Sequence, residues 1–298
     1  MQVTERKYFF DKLLSVVQQH ITSDYVLLGV PNHMNLGDSL IWQAEKDLFK
    51  NIPYKNIATY FWGVPSGKIN VPKGSTIIFT GGGSWDDIWN TINYIEAIIS
   101  AFNDYKIFFM PNSVWYNNKE RVKKTIGILS KHTGEIILCS REQQSYDFAT
   151  KEFPMAKNYL VPDVVLGWDA QSYMKEHSIA LKASNKTLFL SRNDKEKISI
   201  KQEIKADKIS DWPTFNVPSY VNKNVSCKEW ESKILPKLIR ESIEFLVGYE
   251  IVYSDRMHGA ILSWLLGKQT VLINNSYGKS KSLYDTWLKE CDGIKMMV

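Results

Sequence analysis

The sequence predicts an α/β protein made of two parallel-sheet halves around a cleft. Three observations carry that expectation. Short runs of apolar, β-branched and aromatic residues alternate with longer segments of helical periodicity, the pattern of strand, crossover helix and strand. The alternation breaks once, in a polar stretch from Gln171 to Lys186 rich in Lys and Ser, and then resumes. The chain has 298 residues and 44% apolar content, enough for two cores of ordinary size.

Taken in order, "MQVTERKYFFDKLLSVVQQH" mixes charged and apolar residues at helical spacing and reads as an amphipathic helix. The strands of the first half are "YVLLGV" from Tyr25, "IATYFW" from Ile57, "TIIFT" from Thr76, "YKIFFM" from Tyr105 and "EIILCS" from Glu135. Helices are expected over Asp38 to Phe49, Asp86 to Ala101 and Lys119 to Lys131. The second half offers "TLFLS" from Thr187, a helix from about Lys233 to Leu246, "YEIVYS" from Tyr249, an apolar helix within "SDRMHGAILSWLLGK", and "TVLINN" from Thr270. The segment "SLYDTWLKECDGI" reads as a last helix, able to pack on either half. Lys195 to Cys227 shows no regular pattern. The expected domains are 1-168 and 169-298, with the active site in the cleft between them.

Composition narrows the class. A net charge of +5 favours anionic partners mildly, yet no block of like charge and no nucleic-acid-binding motif occurs, so nucleic acid is not an expected partner. Cys139, Cys227 and Cys291 are odd in number, far apart and without a CxxC, which argues against a disulfide framework or a zinc site and fits a reducing compartment. The N-terminus lacks the apolar core and cleavage site of a signal peptide, and no apolar run reaches the roughly 20 residues that span a bilayer. A soluble, cytoplasmic protein is expected, with no metal. Ten Trp residues hint at the flat aromatic surfaces that carbohydrate sites use.

In parallel sheets ligands bind outside the carboxyl ends of the strands, so the residues there are the candidates. After the first strand, "NHMNLGDSLIW" brings Asn32, His33, Asn35 and Asp38, of which Asn35 or Asp38 can cap the following helix. After the third, "GGGSWDDIW" brings Gly81, Gly82 and Gly83. Three glycines imply close backbone approach or positive φ, and free N–H groups at a helix start would receive an anion or a sugar hydroxyl. Asp86 and Asp87 either cap that helix or enter the site. The motif is neither a Walker loop nor GxGxxG. "SREQQSYDF" brings Arg141 and Ser145, either a local i, i+4 surface pair or part of the cleft lining. "VPDVVL" brings Asp163. In the second half, Arg192 leaves one strand end, and Arg256 and His258 leave another. Two planar guanidinium forks and an imidazole at strand ends are best explained by convergence on one anion, a phosphate or carboxylate. Lys279 and Lys281 stand at a further junction, where they extend that site or are simply solvated.

In this order the motifs "NLGDSLIW", "GGGSWDDIW", "SREQQSYDF", "VPDVVL", "LSRNDKE" and "SDRMHGAILSWLLGKQTVLINNSYGKSKSLYDTW" resemble the polysaccharide pyruvyl transferase family, from Asn35 to Trp287. The resemblance implies two Rossmann-like halves in a GT-B-like arrangement. It also implies transfer of the pyruvyl group of phosphoenolpyruvate to two hydroxyls of a sugar, giving a cyclic ketal on a bacterial surface polysaccharide or its precursor. By it Arg192, Arg256 and His258 match phosphoenolpyruvate-binding positions, with Lys279 beside them. His258 acts in catalysis, and Asp87 matches the acidic residue after the glycines, a base or an orienting group for the sugar. Asn35, Asp38, Gly82, Gly83, Arg141 and Ser145 are the candidates expected at the acceptor side or in the cleft lining. No cofactor is expected beyond phosphoenolpyruvate as donor substrate. A lipid-linked acceptor would suit a basic protein at the inner face of the membrane. Two rivals stay open: a nucleotide-sugar glycosyltransferase of GT-B type, in which the arginines grip a diphosphate, and a non-catalytic glycan-binding protein.

Overall fold

The computed structural model describes residues 3–33, 35–88, 91–194, 196–198, 202–213, 225–276 and 278–297. By its internal contacts the chain forms two compact units. The N-terminal unit comprises Phe9–Asn32 and Ala44–Val164, and the C-terminal unit comprises Met1–Tyr8, His33–Gln43 and Val165–Val298.

In chain order the first stretch runs α1 (Val3–His20), β1 (Tyr25–Val30), α2 (Leu36–Phe49), β2 (Asn56–Phe61), β3 (Thr76–Phe79), β4 (Gly82–Asp86), α3 (Ile92–Ala101), β5 (Ile107–Trp115), α4 (Lys119–Leu129), β6 (Ile136–Ser140), α5 (Gln143–Glu152) and β7 (Lys157–Leu160). Among the described residues seven strands form one sheet in the order β2-β1-β3-β5-β6-β7, with β4 also paired to β5, and every pairing is parallel. Helices cover a parallel sheet on both faces, which is why β1, β3 and β6 are unbroken buried apolar runs instead of alternating ones.

The helix expected over Asp86 to Ala101 is shorter, and the glycines do not open it. β3 and β4 lie one after the other along β5, Phe79 opposite Phe109 and Gly82 opposite Asn112, as a single strand broken at Thr80 and Gly81. The reason is Trp85, wholly buried with its ring edge-on to Phe109 at 4.9 Å and close to Phe153. Extended backbone seats that ring in the core, and α3 begins only at Ile92.

The C-terminal unit continues with α6 (Ala170–Glu176), β8 (Thr187–Leu190), β9 (Lys208–Ser210), a short α7 (Cys227–Glu229) that runs through a π turn into α8 (Leu235–Leu246), β10 (Ile251–Ser254), α9 (Met257–Leu265), β11 (Gln269–Ile273), α10 (Lys279–Leu283) and β12 (Ile294–Met297). Among the described residues its five strands are again all parallel, in the order β12-β11-β10-β8-β9. α8 presents Leu235, Leu238, Ile239, Ile243 and Leu246 as one buried stripe, whereas α9 is buried nearly all round, which accounts for its apolar sequence. The last helical segment belongs to this unit. β9 and β12 have no counterpart in the sequence expectation. Within the irregular stretch, Lys195, 199–201 and 214–224 lie outside the described residues. Among the described residues no helix is long and apolar enough to cross a membrane.

Both sheets share one topology. The chain starts in the middle, adds a strand on one side, then returns to the other, so the order reverses between β1 and β3 in one sheet and between β8 and β10 in the other. At such a reversal consecutive connections leave in opposite directions and open a crevice at the carboxyl ends of the two flanking strands.

Candidate active site

In the C-terminal unit the carboxyl ends of β8 and β10 deliver Arg192 and the segment Asp255 to His258. Ser254 closes the turn between β10 and α9: its hydroxyl accepts the Arg256 N–H at 3.1 Å and donates to the Arg256 carbonyl at 2.8 Å. Gly259 lets the helix approach, since a Cβ there would fall 2.4 Å from Leu190 Cδ2 and 2.9 Å from Ser254 Oγ. Arg256 and His258 are thereby held on a short, packed turn.

The arginines meet carboxylates of their own chain. Arg192, buried, donates from Nε and Nη2 to Asp194 at 2.7 and 3.0 Å and from Nη1 to Glu196 at 2.7 Å, while its backbone N–H donates to Asp255 at 2.7 Å. Arg256 donates from Nε and Nη2 to the two oxygens of Asp211, both at 2.6 Å, with Nη1 3.3 Å from Asp194. Lys279 Nζ lies 2.9 Å from Glu196, which also accepts from the Asn275 side-chain amide at 3.2 Å. Arg192, Arg256 and Lys279 are thus linked in one ion cluster threaded by Asp194, Glu196 and Asp211. Burial would raise the Glu196 carboxyl; Lys279 and Arg192 override it and hold it at about 2. For Asp255 burial wins and raises the carboxyl, against the Arg192 amide and the charges of Arg192 and Arg256. Lys281 stands apart, paired with Asp285 one turn on.

The start of α2 lies in the same unit. Asn35 caps the helix, its Oδ1 accepting the Gly37 N–H at 3.1 Å, and its side-chain amide donates to Asp38 Oδ2 at 2.8 Å. Asp38 is therefore not the cap; it sits between Asn35 and His33, whose Nε2 is 3.4 Å from the same oxygen. The His258 ring rests against Gly37, the position a side chain would otherwise fill. Asn35, Asp38 and His258 thus share one neighbourhood.

The N-terminal unit holds the remaining candidates. Gly82 adopts φ 127°, and a Cβ on Gly81 would fall 2.6 Å from the Pro111 carbonyl, so two of the three glycines serve the strand break. The break is fixed by Glu45 of α2, fully buried, which accepts the Gly81 N–H and the Thr80 hydroxyl, each at 2.7 Å. Burial pushes the Glu45 carboxyl up to about 8 despite those two donors, and the charge of Asp163 adds to the rise. Asp87 caps no helix of its own. Its carboxylate accepts the backbone N–H groups of Asn117 and Asn118 and the Asn117 side-chain amide, all between 2.9 and 3.1 Å, and so builds the turn into α4. Arg141 and Ser145 are not a surface pair. Arg141 precedes α5, is buried, and donates to Asp163 and to Ser113, each at 2.9 Å; Ser145 accepts the Val114 N–H at 2.7 Å and donates to Glu142. Among the described residues no group of three or more His, Cys, Asp and Glu side chains is arranged to hold a metal ion.

Several of these residues lay outside the sequence expectation. Asp194 and Glu196, two and four positions after Arg192, carried a readable signal in "SRNDKE". So did Glu45, an acid in the apolar stripe of "LIWQAEKDLF". Asp211 carried none, because its link to Arg256 is purely tertiary.

Comparison with known proteins agrees with this architecture. The sequence profile of the polysaccharide pyruvyl transferase family matches residues 35–277. Pyruvyl transferase 1 of Schizosaccharomyces pombe is 27% identical over 296 residues, covering 91% of this chain and 72% of that protein. EpsO of Bacillus subtilis is 27% identical over 311 residues, covering 96% of this chain and 91% of that protein. A crystal structure of a functionally uncharacterised protein from Klebsiella pneumoniae superposes with a TM-score of 0.68 at 19% identity, covering 97% of this chain and 98% of that one, a likeness of fold.

Proposed function

The chain belongs to the polysaccharide pyruvyl transferase family, and we propose that it moves the pyruvyl group of phosphoenolpyruvate onto two hydroxyls of one sugar, closing a cyclic ketal and releasing phosphate. Pyruvyl transfer to a sugar acceptor in polysaccharide biosynthesis is the family's activity. The donor, the ketal and the residue roles are our reading.

One observation carries it. The two arginines and His258 leave the ends of β8 and β10, the strands that flank the reversal of strand order, where a doubly wound sheet receives its ligand. A donor with a carboxylate and a phosphate on a three-carbon frame needs a guanidinium there. In this reading Arg256 meets its anionic groups, and Arg192 and Lys279 stand behind it in the ion cluster. His258 gives a proton to the methylene carbon as the first sugar hydroxyl adds to the adjacent carbon. The carbon–oxygen bond to phosphate then breaks, and the second hydroxyl adds to the same carbon. Of the two hydroxyl protons, one restores His258 and the other leaves with phosphate, so no oxidant, reductant or resident cofactor is called for. Asp87 builds the turn into α4, and a lipid-linked sugar is an acceptor class to include in the assay.

The test is 31P NMR of the protein with phosphoenolpyruvate and a panel of glycosides. Growth of the inorganic phosphate signal, dependent on glycoside, independent of nucleotide and abolished in His258→Ala, supports the reading. Turnover of a nucleotide sugar in its place identifies a glycosyltransferase, and glycoside binding without turnover of either identifies a lectin-like protein.

A further inference from the structure

Arg192 and Arg256 differ in what their guanidinium edges still offer. A guanidinium presents two edges that match a carboxylate or phosphate: side-on, from Nε and Nη2, and end-on, from Nη1 and Nη2. On Arg192, Asp194 closes the side-on edge and Glu196 takes Nη1, so both edges are engaged. On Arg256, Asp211 closes the side-on edge with two 2.6 Å bonds, whereas at the end-on edge Nη1 has Asp194 at 3.3 Å. The Arg256 side chain is also the more exposed of the two, 20% against 8%.

Asp211 is itself firmly seated. It accepts the Trp212 N–H at 2.8 Å and the Asn193 N–H at 3.2 Å, so each carboxylate oxygen holds one backbone amide and one guanidinium N–H. The amide of Asn193, the residue after Arg192, ties the ends of β8 and β9 to the plane of the Arg256 fork. Burial opposes the Asp211 charge, and its bonds to Arg256 override that and lower its carboxyl.

We infer that Asp211 is a positioning residue for the donor: by fixing the side-on edge of Arg256 it turns the end-on edge to the phosphate or carboxylate of phosphoenolpyruvate. The inference rests on the reading that Arg256 meets the donor. Asp194, bonded to Arg192 and close to Arg256, spaces the two arginines, and Asp211 sets the plane of the outer one.

The experiment compares wild type, Asp211→Asn and Asp211→Glu in steady-state kinetics with phosphoenolpyruvate and glycoside, and in calorimetric titration with inorganic phosphate. Asp211→Asn removes the charge and one acceptor of the pair; its KM for phosphoenolpyruvate should rise about tenfold, as for loss of one charged hydrogen bond, with kcat and the glycoside KM nearly unchanged. Asp211→Glu keeps the charge but displaces the carboxylate, so it should share the rise, and it carries the test if the Asn variant does not fold. Phosphate affinity should fall in step. A phosphoenolpyruvate KM that stays constant or decreases in either variant overturns the inference, the decrease identifying Asp211 as a competitor for the fork. So does a parallel loss in both KM values and Tm, which marks a purely structural residue. Failure of wild type to release phosphate from phosphoenolpyruvate would overturn the functional reading instead, while the phosphate titration would still judge Asp211.

Discussion

A Cβ on Gly37 would stand 2.7 Å from Nδ1 of His258 and 3.4 Å from Oδ1 of Asn35, so the absence of a side chain at Gly37 makes the seat of the imidazole. Real Cβ atoms do not come that close, and an added methyl must push the ring aside. Gly37 lies in the first turn of α2, where its backbone suits any residue, so Gly37→Ala should leave Tm almost unchanged. Displacement of a reacting group by about 1 Å can cost on the order of a hundredfold in rate. Steady-state kcat, read together with the ring resonances of His258, checks this; unchanged turnover would mean the seat has no bearing on catalysis.

Glu45 predicts a pH dependence of stability. Its folded-state value of about 8 lies above the roughly 4.3 of an unfolded Glu, so the folded chain binds the proton more tightly. The associated stability is complete below about pH 4 and is lost as pH rises toward 8, at about 1.4 kcal/mol per pH unit for the one proton. Glu45→Gln, which keeps an acceptor for Gly81 or Thr80 without titrating, should flatten that slope. Urea denaturation at a series of pH values measures it.

Asp87 separates two roles that sequence reading leaves together. With three N–H donors on its oxygens, Asp87→Ala leaves the exposed Asn117 and Asn118 amides to water and should lower stability by about 0.5–1.5 kcal/mol. Turnover per folded molecule should fall less than in His258→Ala. Chemical denaturation beside kcat decides; full stability with abolished turnover would make Asp87 a direct proton acceptor.

Arg141 and Asp163 form a buried pair in the N-terminal unit, with Ser113 and Glu142 completing the network. Removing one partner strands the other charge out of water. Asp163→Ala should therefore destabilise the protein by about 3–5 kcal/mol. The same loss from a surface ion pair such as Lys123 with Glu120 should be below about 1 kcal/mol. Parallel thermal melts of the two variants test the contrast.

Period and composition were sufficient for much of the fold. The central strands of the N-terminal unit's sheet are apolar runs that a doubly covered parallel sheet buries, and they were legible one by one. β9 and β12 were not, because three or four residues of ordinary composition pair only when β8 and β11 stand beside them. The glycine trio misled for a related reason: a glycine run before Asp residues satisfies the local rule for a helix start, and only the burial of Trp85 against Phe109 makes it a broken strand.

By itself the sequence determined which residues stand at strand ends, since an apolar run and the polar residue after it are local facts. Arg192, Arg256, His258 and Asn35 were identified in that way. Some of what they touch is equally local, Asn35 capping its own helix and Arg192 bonding Asp194 and Glu196, whereas the partners of Arg256 and His258 were decided by tertiary structure alone. Arg256 meets Asp211 across 45 positions and His258 meets Gly37 across more than two hundred, and the carboxylate selected for Arg256 depends on how β8, β9 and β10 lie side by side. Charge attraction is indifferent to sequence distance; the register of a parallel sheet is what turns it into one particular pair.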